Sequence, residues 1–237
     1  MGRFMSIANK KKKEDRKRAK IFAKLSKKIS VAAREGSDLE FNSTLATIVE
    51  EAKAKNMPKD NIERAIKKGA GELEGVEYLD LIYEGYGPSG VAVIVEVLTD
   101  NKNRAAADIR HAFDKYGGNL GENGCVSFMF DHKGILVIKN NENIDDEDIM
   151  MEAIEAGADD IDIDEKFIEI YSKINDFGKV RDFFKNKGFE FEVAELRYLP
   201  KNMTKLNNKK DIENMESMID LLEDNDDVQK IYHNWQN

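Results

Sequence analysis

Cysteine is nearly missing from this sequence: Cys125 is the single copy among 237 residues. An intramolecular disulfide is therefore excluded, and so is a zinc site built on several thiolates. Such sparing use suits a reducing compartment, and a cytoplasmic location is expected. Long apolar runs are also absent. The longest, Val91 to Val95, is far too short to span a bilayer. The first residues are polar and then basic, without an apolar stretch for a signal peptide, so no membrane association is expected. Proline is scarce and low-complexity stretches are few, which argues against a disordered chain. Histidine is thin too: His111, His132 and His233 are scattered. No His-x-x-x-His pair and no serine nucleophile elbow occur. Arg104, Asp108 and His111 share a helix face by spacing, but that pattern reads as a surface network of i,i+3 and i,i+4 pairs. No catalytic residue, metal site or cofactor is expected, and the chain does not read as an enzyme.

What is present is charge, unevenly placed. The formal net charge of −9 conceals a split. Residues 1–70 hold 19 Lys and Arg against 9 Asp and Glu, a net of +10; residues 71–237 hold 18 against 37, a net of −19. A basic head on an acidic body points to polyanion binding at one end only. Lys10, Lys11, Lys12, Lys13, Arg16, Lys17, Arg18, Lys20, Lys24, Lys27 and Lys28 supply that head's densest charge. Between Lys10 and Arg34 the acids are Glu14 and Asp15. Cationic side chains gain affinity by replacing condensed counterions, with a salt dependence of about 0.9 log unit per phosphate neutralised on duplex DNA. A solvated helix face with a lysine-rich tail is the plainer reading of the same residues. Membrane-surface binding fits less well, because the helix carries no Trp and needs its apolar side for packing.

Apolar spacing gives the elements. Residues 1–15 read as an arm. Ile21, Phe22, Leu25, Ile29 and Ala32 make one helical arc, with Gly36 as its stop. Helices over 43–55 and 58–68 follow. Asn42 or Ser43 is the first cap, Pro58 sits in the first turn of the next, and Gly69 is its C′ residue. Strands are expected at 78–84, 91–98 and 125–130, with a helix over 104–115 capped by Asn103. Strands at 135–139, 160–164, 167–171 and 189–199 with helices at 146–156 and 176–186 give the order β-α-β-β-α-β of a ferredoxin-like sandwich. A last helix, 211–223, and strand, 228–232, are too short to stand alone. They are expected to return to the sheet begun at 78–130. The fold class is therefore α+β multidomain. A basic helical domain covers 1–75, a discontinuous central α/β domain covers 76–132 plus 205–237, and a ferredoxin-like domain covers 133–204.

Other motifs have bland explanations. Gly85 and Gly90 have P-loop spacing, but Val91 stands where the lysine belongs. Gly117-Gly118-Asn119-Leu120-Gly121 reads as a helix stop and tight turn. Asp160, Asp162 and Asp164 alternate like a calcium loop, yet Glu165 replaces the required glycine and Tyr171 the bidentate glutamate. Alternating Ile161 and Ile163 make this segment a strand with one charged face.

Several stretches taken together resemble the YebC/PmpR family. They include Lys20-Ile21-Phe22-Ala23-Lys24-Leu25, Asn56-Met57-Pro58, Tyr83 through Gly90, Asp100-Asn101-Lys102-Asn103-Arg104, Arg110-His111-Ala112-Phe113, Tyr116 through Gly121, Gly178-Lys179-Val180-Arg181 and Asp226-Asp227-Val228-Gln229. The resemblance covers nearly the whole chain in order. It implies three domains, the third inserted into the second, and a probable DNA-binding transcriptional regulator in the cytoplasm. It also implies an alternative, a ribosome-associated translation factor that binds RNA and relieves stalling, since mitochondrial relatives look like translational activators. DNA or RNA, with the ribosome as one form of the latter, is the expected partner, and a monomer is expected. The start departs from the family: Gly2-Arg3-Phe4-Met5-Ser6-Ile7 stands where a Gly-His-Ser-Lys-Trp-like segment is usual.

Overall fold

A computed structural model describes residues 18–140 and 144–236. The chain forms two compact units, one within Met1–Val126 and Thr204–Asn237, the other within Ser127–Met203. Both are mixed α and β, and the four-stranded sheet in each is antiparallel throughout.

The first unit opens with helix α1, residues 18–32, which runs into a 3-10 turn at Ala33–Glu35. Gly36 then takes φ 148°, a conformation that only glycine adopts readily, and the helix stops as its sequence predicts. Helices α2, Ser43–Ala54, and α3, Lys59–Gly69, complete a small bundle. Its core is Leu25, Ile29, Leu45, Val49, Ala52, Met57, Ile62 and Ala65. Ile21, which the spacing places on the apolar arc, is exposed. The cap of α2 is Asn42. Its side-chain oxygen accepts from the Leu45 N–H at 2.9 Å, while its amide donates to the carbonyls of Ala32 and Gly36. One buried residue thus ties the end of α1 to the start of α2. Gly69 is not the left-handed C′ residue; Gly71, with φ 78°, takes that role. Gly69 is small for another reason, since a Cβ there would lie 2.2 Å from the Ser30 carbonyl oxygen.

Strands β1, Leu79–Tyr86, and β2, Ala92–Thr99, pair through a tight turn at Pro88–Gly90. Helix α4, Lys102–Lys115, follows. Its cap is Asn101, not Asn103, and accepts from the Arg104 N–H at 3.0 Å. The short strand β3, Asn119–Leu120, returns to pair with β1, an element that the glycines around it mask in the sequence. The strand expected at 125–130 does not form over 125–129. A turn and a 3-10 segment stand there, and strand β4 starts only at Phe130 and runs to Lys139.

Unit two continues with α5, Asp146–Ala156; β5, Asp160–Ile163; β6, Phe167–Ser172; α6, Phe177–Asn186; and β7, Phe191–Pro200. Its sheet order is β5-β6-β4-β7. Leu136, Ile138, Ile149, Ala153, Ile168, Ile170, Val180 and Phe184 form its core. The chain then re-enters the first unit through β8, Thr204–Lys205, and α7, Lys209–Glu223. Strand β9, Val228–His233, lies antiparallel beside β2, and β10, Trp235–Gln236, pairs with β8. The order of this sheet is β3-β1-β2-β9. Val91, Val93, Val95 and Val97 of the β2 segment share one core with Ile109 and Phe113 of α4 and Met215, Met218 and Leu222 of α7. That core and the core of the α1–α3 bundle have no residue in common. Among the described residues, no helix is long and apolar enough to cross a membrane.

Candidate nucleic-acid interface

Lys20, Lys24 and Lys27 are spaced i, i+4, i+7, so they form one stripe along α1. The stripe does not simply face water. It meets the C-terminal end of α7 and the turn that follows it, Glu223-Asp224-Asn225-Asp226-Asp227. Lys20 Nζ donates to Asp224 Oδ1 at 2.5 Å and to the Asp224 carbonyl at 3.1 Å. Lys24 Nζ reaches the Glu223 carbonyl at 3.3 Å. Lys27 Nζ donates to Asp227 Oδ1 at 2.5 Å and to the Asp226 carbonyl at 2.9 Å. The last turn of any helix leaves carbonyls unpaired and carries partial negative charge, which cations satisfy. Four acids in five residues add full charges to that end.

Asp227 is the centre of the arrangement. Its Oδ2 accepts from Thr99 Oγ1 at 2.9 Å and from Arg104 at 2.8 Å, while Oδ1 accepts from Lys27. Arg104 also reaches Asp100 at 2.7 Å. The Asp227 N–H donates to Asn225 Oδ1 at 2.8 Å, closing the turn on itself. Burial would push the Asp227 carboxyl up, but hydrogen bonds from Lys27, Arg104 and Thr99 outweigh it and hold the group below its ordinary range. The Arg104 guanidinium is held above its ordinary range by its bonds to Asp227 and Asp100. Burial lowers the Lys24 ammonium against the pull of Glu223 and Asp226. The two ends of the stripe differ in exposure. The Lys27 and Asp227 side chains are 15% and 8% exposed, those of Lys20 and Asp224 34% and 74%. The inner pair is a structural tie and the outer one is open to solvent. Tyr78 lies beside Lys27, its ring centroid 6.0 Å from Nζ. A cleft of about 450 Å³ opens between Ala23, Tyr78, Asp108 and Asp226.

The other basic residues expected at the interface fall into two groups. Arg18 is exposed and Lys28 half-buried on α1, and neither makes an ion pair among the described residues. Lys10, Lys11, Lys12, Lys13, Arg16 and Lys17 lie outside the described residues. Arg104 and Asp108 do not build an acid–base group with His111. Arg104 goes to Asp227, Asp108 accepts from the Asn225 amide at 3.3 Å, and His111 is exposed. Asp160 and Asp162 lie on an edge strand and Asp164 accepts from two backbone N–H groups of a tight turn. Among the described residues, no group of acids, His and Cys is arranged to hold a metal ion.

The glycine-rich turns are explained by close backbone approach. A Cβ on Gly85 would lie 2.6 Å from the Asn119 carbonyl oxygen and 2.8 Å from the Phe113 ring, and one on Gly118 would lie 2.6 Å from the Tyr86 carbonyl oxygen. Glu84, itself buried, accepts from the Gly124 and Val126 N–H groups at 2.9 Å each and fixes the loop after β3. What sequence reasoning misses is the acidic turn as the partner of the lysine stripe. Its signal is the run of acids at 223–227 directly after a helix.

Comparison with known proteins gives one answer over the whole chain. Residues 2–72 match the family model described as the TACO1/YebC protein N-terminal domain, and residues 78–235 match the TACO1/YebC second and third domain. A protein of Clostridioides difficile named "Probable transcriptional regulatory protein" is 52% identical over 237 residues, covering 100% of this chain and 99% of its own. A protein of Finegoldia magna with the same name is 50% identical over 236 residues, covering 99% and 98%. The crystal structure of a conserved hypothetical protein, Aq1575, from Aquifex aeolicus is 42% identical with a TM-score of 0.78, over 92% of this chain and 90% of that one. The chain belongs to the TACO1/YebC family, the YebC/PmpR family that its motifs resemble.

Proposed function

We propose that this protein is a cytoplasmic, non-enzymatic, DNA-binding regulator of transcription that acts as a monomer. One observation carries the reading: the net +10 of residues 1–70 against the net −19 of the rest. Counterion release draws the head to a polyanion, while the acidic body is repelled by it and limits how the chain lies on its partner. The name of the relatives supports transcription as the process. The phosphate-contacting residues are Lys10, Lys11, Lys12, Lys13, Arg16, Lys17, Arg18, Lys20, Lys24, Lys27 and Lys28. The chain is read as three domains, the helical head, a discontinuous α/β body and a ferredoxin-like insert. The separate apolar cores support that division.

Binding of a fluorescent DNA duplex across a salt series tests this. The logarithm of affinity falls linearly with the logarithm of salt. Replacing Lys10, Lys11, Lys12 and Lys13 with Gln lowers that slope by about 0.9 for each phosphate no longer neutralised. An affinity and slope unchanged by those replacements would overturn the assigned surface.

A further inference from the structure

We infer that the acidic turn at residues 223–227 is a built-in competitor for nucleic acid, occupying the lysine stripe of α1 until phosphates displace it; this rests on the nucleic-acid reading above. The turn presents to Lys20 and Lys27 carboxylate oxygens and to Lys24 a helix-end carbonyl, so acceptors stand at successive positions along the helix as they do on a phosphate backbone. Two features make displacement feasible. The turn is organised without α1: Thr99, Arg104 and the Asn225 side chain hold Asp227 from the body. The α1–α3 bundle likewise has its own core, which shares no residue with that of the body. Release of the three lysines therefore unfolds neither side. The grip is also graded. Lys20 and Asp224 meet in solvent, where an ion pair is weak and screened, while Lys27 and Asp227 meet in near-complete burial. Phosphates take the outer lysines first and meet rising resistance toward Lys27. The consequence is a threshold. Short or weakly charged polyanions leave the turn in place, and a longer duplex supplies enough phosphates to replace it.

The test neutralises the turn where it is exposed. The Asp224→Asn, Asp226→Asn double variant removes two charges and leaves Asp227 intact. A control, Asp146→Asn with Glu147→Gln, makes the same charge change at exposed positions on α5. Affinity of the full-length chain for a fluorescent DNA duplex is measured at one low salt concentration for wild type and both variants, with circular dichroism to verify folding. The turn variant is expected to bind up to about fivefold more tightly, the scale of one exposed ion pair released. The control is expected to gain much less. Equal gains in the two variants would show a bulk charge effect and overturn the proposal, as would no gain in the turn variant. Failure of wild type and both variants to bind duplex at that low salt would overturn the DNA-binding reading itself, a result distinct from either of these.

Discussion

Asp227 is a single carboxylate asked to satisfy Lys27, Arg104 and Thr99 in near-complete burial. Removing it leaves the largely buried Lys27 ammonium without its carboxylate, at a cost of about 3 kcal/mol or more, while the half-exposed Arg104 keeps Asp100. Asp227→Ala is therefore expected to lower the urea midpoint clearly, whereas Lys20→Ala, at the exposed end, shifts stability by about 0.5 kcal/mol or less. Equal effects would refute the division into structural and open ends. The same group gives a pH dependence. Its folded pKa is depressed, so its contribution to stability is present above the unfolded value of about 3.9 and is lost as pH falls through the lower folded value. Thermal melts taken below pH 4 should show the wild type losing stability with a steeper slope than Asp227→Asn. Lys27 belongs to the same buried tie. Reversing it to Glu would set two carboxylates together in a buried site, so it cannot serve as a fold-neutral probe of binding.

Elements are legible wherever their signal is local. The arc Phe22, Leu25, Ile29 and Ala32 announces α1, and each of those residues lies in or against the bundle core. Alternating Ile161 and Ile163 announce β5, whose outward acids suit an exposed sheet edge. What is not legible depends on distant partners. Asn119 and Leu120 carry no strand signal of their own, because their pairing with Tyr86 and Gly85 exists only once glycines at 85 and 118 let the backbones touch. The stripe at Lys20, Lys24 and Lys27 looks solvated in sequence because its partners lie about 200 positions later. Gly69 has the sequence signature of a helix stop, although its role is close approach to Ser30. Close approach at Gly85 is open to test. Gly85→Ala places a methyl group against the Asn119 carbonyl and the Phe113 ring and should cost about 1–3 kcal/mol by the strain of overpacking. Gly90→Ala meets no neighbouring atom and carries only the penalty of its φ of 81°. If thermal denaturation ranked Gly90→Ala as the worse of the two, close approach would not be the reason for Gly85.

For the whole molecule, the decisive property is that opposite charges are kept apart in sequence and partly joined in the fold. The basic head meets the acidic body at the end of α7. Specific base reading is not evident in these residues, since the stripe offers lysines and no Arg, Asn or Gln at spaced exposed positions. The stripe is therefore expected to position the protein on a phosphate backbone, with selection among sequences left to DNA shape or to residues outside the stripe. Ultraviolet crosslinking in living cells, followed by sequencing of the attached nucleic acid, tests the central claim most directly. The predicted result is discrete promoter DNA, enriched over a variant with Lys10, Lys11, Lys12 and Lys13 reversed to Glu. Enrichment of ribosomal or transfer RNA instead would contradict it and make the protein a translation factor.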